Sequence, residues 1–143
     1  MRLLWVLAVL LPATLPGKGP RDERYWGQWR GPLDTGVATR ASPPTEWSED
    51  NNIRWKVPVP GPGHSSPIVW QDRIYLTAAI PHGEPVDPPA GLRPGAHNNI
   101  LKVRKTRFVV TALDRETGKT IWEKTVRNSL PHESRHDTGS YAS

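Results

Sequence analysis

The segment Ala112-Leu-Asp-Arg-Glu-Thr-Gly-Lys-Thr-Ile-Trp122 constrains this chain more than any other. Arg107-Phe-Val-Val-Thr-Ala-Leu113 is β-branched and aromatic, with apolar residues at both alternating sets of positions. Lys119 to Val126 reads as the next strand. Between them the Asp114 carboxylate can accept hydrogen bonds from the amides two and three residues on, with support from the Thr117 hydroxyl. Gly118 can take the positive φ that closes a hairpin with a bulge. An antiparallel pair joined by a tight turn is the reading that satisfies all of these residues. A second hairpin precedes it, Pro67 to Trp70 and Arg73 to Ala79, connected by Gln71-Asp72. In its second run Ile74, Leu76 and Ala78 share one face, and Tyr75, Thr77 and Ala79 the other. Both faces are largely apolar, so the sheet is expected to be covered on both sides.

The remainder of the chain fits an all-β fold. Its 143 residues suffice for one domain and include 16 Pro and 12 Gly, with a hydrophobic share of 36%. Seven Trp stand against one Phe and one Met. Many turns and a few large apolar anchors favour sheet over a helical bundle. Ile53-Arg-Trp-Lys-Val57 reads as a short strand ended by Pro58-Val-Pro-Gly-Pro-Gly63. The Pro- and Gly-rich stretch 81–106 reads as a long loop inserted between strands. Gly61-Pro-Gly63 is a turn and not a phosphate loop, since no Gly-Lys-Ser/Thr follows it. The net charge of +5 admits nucleic acid or an acidic membrane as partner. The cations are scattered, however, and only Lys102 to Arg107 is dense. With no recognition motif beside them, solvated surface charge is the better reading, and no nucleic-acid partner is expected.

Met1-Arg2, the apolar run Leu3 to Leu11 and the small, turn-prone Pro12 to Gly17 have the layout of a secretory signal. Cleavage is expected after Ala13 or Gly17. Pro12 ends the apolar run well short of the roughly 20 residues a spanning helix needs, so the mature chain is expected to be exported, periplasmic or extracellular, with no transmembrane span. The chain has no Cys, which excludes disulfides, thiolate metal sites and lipid attachment through a mature N-terminal Cys. The layout expected is a signal peptide at 1–17, a linker and lead segment at 18–52, a sheet unit at 53–127 and the start of another at 128–143.

The Ala112 to Trp122 segment resembles the tryptophan-docking pattern Ala-x-Asp-x-x-Thr-Gly-x-x-x-Trp of pyrroloquinoline-quinone-like (PQQ-like) β-propeller repeats. Ala112, Asp114, Thr117, Gly118 and Trp122 fill its fixed positions. Ser65 to Leu76 is similar to the two inner strands of such a blade. Trp55 resembles the Trp-bearing end of a preceding outer strand, and Trp26-Gly-Gln-Trp-Arg-Gly-Pro32 the start of exported bacterial members. The resemblance implies an antiparallel four-stranded blade whose Trp122 docks on a neighbouring blade, the burial of a large aromatic locking one to the next. Propellers close with typically 4–8 blades, so the chain is expected to carry about one blade and its N-terminal lead. The resemblance implies a non-catalytic scaffold for binding or assembly outside the cytoplasm, like the outer-membrane-assembly propellers of the BamB kind. Neighbouring blades and proteins of the cell envelope are its implied partners. The alternative is the N-terminal part of a quinoprotein dehydrogenase, with PQQ and calcium over the ring; a lectin-like or sensor propeller is a third option. No catalytic residue can be placed by motif.

His132-Glu-Ser-Arg-His136 matches His-Glu-x-x-His, which binds zinc when both His lie one turn apart on a helix. Pro131 before it, Gly139 after it and the lack of an apolar helix face point instead to a loop. His132, Glu133 and His136 are then candidates to line the funnel of a complete propeller. His82, His97, Asn98 and Asn99 belong to the expected insertion, either at a rim contact or on a tolerated surface loop.

Overall fold

The computed structural model describes residues 25–91 and 99–142. The expected export signal, the first part of the linker, His97 and Asn98 lie outside the described residues. Four strands form: β1 (Ile68–Trp70), β2 (Arg73–Val86), β3 (Val103–Asp114) and β4 (Thr120–Ser129). They make one antiparallel sheet in the order β1-β2-β3-β4. Among the described residues there is no helix, and none therefore that is long and apolar enough to cross a membrane.

Both sequence-predicted hairpins form. Gln71, with φ 56°, and Asp72 connect β1 to β2. The core centres on β3, where Val103, Thr106, Val109, Thr111, Ala112 and Leu113 are buried. Successive strand residues point to opposite faces, so burial of Thr111, Ala112 and Leu113 in a row means that β3 is covered on both sides. Ala78 and Ala79 of β2 repeat the pattern. By contrast, β4 is exposed along its length except at Ser129. Glu123, Lys124 and Arg127 place charge on this outer strand, as an open edge requires.

Two differences from the sequence reading have clear causes. The expected insertion 81–106 is shorter, because β2 continues to Val86 and β3 begins at Val103. Pro81 enters the ladder opposite Thr106, and the register shifts between His82 and Val86. Ala79 N–H donates to the Pro62 carbonyl at 3.0 Å, on the edge of β2 away from β3. Pro81, two residues on, turns its missing N–H to that same edge, where no ladder bond is lost. The second difference concerns Ile53 to Val57, which belongs to no ladder. A strand is defined by its partner's backbone groups, and no strand lies beside this segment among the described residues. A side chain holds it instead.

Loop segments finish the sheet. Trp26 and Val69 exchange two backbone hydrogen bonds of 2.9 Å, which extends the sheet outward from β1. Gly63 lies against β2 so closely that a Cβ there would sit 2.6 Å from the Thr77 carbonyl oxygen. His64 N–H in turn donates to the Ala142 carbonyl, and the Ser140 hydroxyl to that of Pro62.

Candidate functional site

The turn between β3 and β4 is built as its residue types require. The Asp114 carboxylate accepts the Thr117 amide at 2.8 Å and the Thr117 hydroxyl at 2.7 Å. Backbone bonds of 2.8 Å join Gly118 N–H to the Asp114 carbonyl and Asp114 N–H to the Lys119 carbonyl. The Thr117 hydroxyl, then its amide, hold the Asp114 carboxyl below the usual carboxylate range, since both donate to the ionised form. Gly118 has φ 71°. Leu113 pairs with Thr120 and Ala112 with Trp122, so Ile121 is the extra residue of a bulge.

A tryptophan sits on this turn. Trp55 reaches it from a segment about sixty positions earlier, and its indole Nε1 donates to the Arg115 carbonyl at 3.0 Å. The ring lies against Gly118, where a Cβ would be 2.6 Å from Trp55 Cδ2. Beside it Arg54 pairs with Glu116 at 2.5 Å. Gly118 is therefore required twice: its backbone is left-handed, and its missing side chain leaves the face on which an indole rests. The Arg54 and Glu116 pair is exposed and adds little by itself. Its neighbour Trp55 was legible as an anchor from sequence; Arg54 and Glu116 were not, because a surface ion pair leaves no pattern in a single chain.

The other motif positions lie on the sheet. Ile68, Tyr75, Ala112 and Trp122 are successive cross-strand partners and so share one face. The Tyr75 and Trp122 rings stand 6.1 Å apart, tilted by 52°, on either side of the fully buried Ala112. A small residue at 112 lets the two rings meet. Trp122 keeps 39% of its surface exposed, and Tyr75 is its ring partner.

The His-Glu-x-x-His stretch is not helical. His136 forms an isolated bridge with Asn99, and its Nδ1 lies 2.9 Å from both Thr138 Oγ1 and an Asp137 carboxylate oxygen. Ala90 N–H donates to the His132 carbonyl and Ile100 N–H to that of Arg135, fastening the β2–β3 connection along this stretch. His82 lies in β2, with Nε2 2.9 Å from Asn128 Oδ1. Among the described residues no three His, Asp or Glu side chains gather as a metal ion would require. Arg135, unremarked in the sequence, is the centre of the 136–139 turn through three hydrogen bonds to backbone carbonyls. No protein-family model, no curated protein and no solved structure matches the chain.

Proposed function

We propose that the chain is a blade, with its lead segment, of a PQQ-like β-propeller that serves outside the cytoplasm as a non-catalytic scaffold for binding or assembly. The observation that supports this is the seating of Trp55 on Gly118, with its N–H on the Arg115 carbonyl. A tryptophan from outside the sheet, seated on the Asp-x-x-Thr-Gly turn, is a contact of the kind by which one blade would lock to another. Trp122 occupies the equivalent place in the next such segment, and its exposed face is the surface offered to a following sheet. A meander of four antiparallel strands with an edge-charged last strand agrees with the architecture of one blade.

Two measurements test the proposal. Residues 1–24 fused to alkaline phosphatase should direct the enzyme across the membrane; retention in the cytoplasm removes the extracytoplasmic assignment. Thermal melts of the complete propeller to which the blade belongs, with pyrroloquinoline quinone and calcium, should match those without them. A ligand that binds the native state must raise the midpoint, so an increase overturns the scaffold reading in favour of the dehydrogenase.

A further inference from the structure

A cleft beside the β2–β3 ladder is separate from the docking turn, and we propose that it binds a small aromatic carboxylate. Its volume is about 200 Å³, with Lys102, Arg104 and Arg135 among its walls and Pro62, Ala79, Pro81 and Ile100 supplying apolar surface. Arg135 is fixed before any ligand arrives. One nitrogen, Nη1, donates to the carbonyls of His136, Asp137 and Gly139 at 2.9, 2.9 and 2.6 Å. The guanidinium plane is thereby held by the chain itself, while Nε and Nη2 have no acceptor among the described residues. That leaves a rigid two-nitrogen fork of the kind that matches a carboxylate. Holding it in advance removes an ordering cost from binding.

The other cations are only lightly engaged. Arg104 donates through Nη1 to the Gly83 carbonyl. Lys102 pairs with Asp87 at 2.6 Å, with the two side chains 53% and 80% exposed, so the ammonium is readily recruited. The charged side chains among the lining residues are thus all cations. Tyr141, also in the wall, donates its hydroxyl to the Glu133 carbonyl at 2.9 Å. Burial raises its pKa, against the opposing Arg135 charge, so it adds no negative charge at neutral pH. The hollow is somewhat larger than the roughly 150 Å³ cavity that accommodates benzene. One ring and one carboxylate fit the volume, the apolar wall and the charge together.

The test is a titration of the ¹⁵N-labelled full chain with benzoate, benzyl alcohol and inorganic phosphate. Benzoate is expected to shift the amides of Ala79, Ile100 and Tyr141 saturably. Benzyl alcohol, which lacks the charge, and phosphate, which lacks the ring, should each bind about tenfold more weakly. Lys102→Gln and Arg104→Gln leave the Arg135 turn intact, and each should weaken benzoate severalfold while the remaining amide spectrum stays that of the parent. Benzyl alcohol or phosphate equalling benzoate, parental affinity in both variants, or shifts mapping elsewhere overturns the proposal. None of these outcomes depends on the propeller reading.

Discussion

At the scale of single residues, Gly118 concentrates the most information. Gly118→Ala puts a Cβ both on a left-handed backbone and into the Trp55 ring, and it should cost about 1–3 kcal/mol. In a Trp55→Ala background only the backbone part remains, so the penalty should fall by about 1 kcal/mol. Chemical denaturation of the four chains measures this coupling; an unchanged penalty would mean that the ring contact is energetically idle. Asp114 gives a second test. Its folded pKa lies below the unfolded value of about 3.9, so its contribution to stability is present above that value and is lost as pH falls through the folded pKa. Thr117→Val removes the hydroxyl that contributes most to this depression. A carbon-detected NMR titration should then show the Asp114 pKa rising toward the ordinary value, and the acid limb of stability moving up with it. No rise would assign the depression to the backbone amides alone.

Among the elements, β3 and β4 differ in how they are held although they belong to one hairpin. The central strand is buried on both faces and bonded on both edges, whereas β4 has one bonded edge and stands in solvent. Amide exchange should therefore be slowest along Val109 to Leu113. Within β4, amides turned away from β3 should exchange orders of magnitude faster. Uniform protection across β4 would indicate that its outer edge is covered in solution. The hairpins themselves were legible in the sequence, since the turn residues and the alternation of apolar positions act locally. The extension of β2 through Pro81 was not legible. Proline reads as a breaker until the topology shows which edge its nitrogen faces. Likewise Ile53 to Val57 has strand composition, but no sequence of one chain states whether a partner strand will be beside it.

For the whole molecule, Trp29, Trp47, Trp70, Ile121, Trp122 and Val126 leave much apolar surface exposed. Exposed apolar surface that is contiguous marks contacts on soluble proteins. Sedimentation velocity should show association that grows with concentration. Val126→Lys, on the open strand, should weaken it, as edge lysines do. A chain that stays monomeric at every concentration would mean that the exposed residues are scattered and do not form one surface.

What the sequence alone determined was the local chemistry: two hairpins, the Asp114, Thr117 and Gly118 turn, an all-β class and the loop character of His132 to His136. Each depends on residues within a few positions of one another, where propensity and hydrogen-bonding reach suffice. Only the tertiary structure decided that Trp55 rests on Gly118. It also set Ala112 between Tyr75 and Trp122, and it drew Lys102, Arg104 and Arg135 around one cleft. These pairings join positions far apart in the chain, and their geometry is fixed by register and packing, which composition and spacing do not encode.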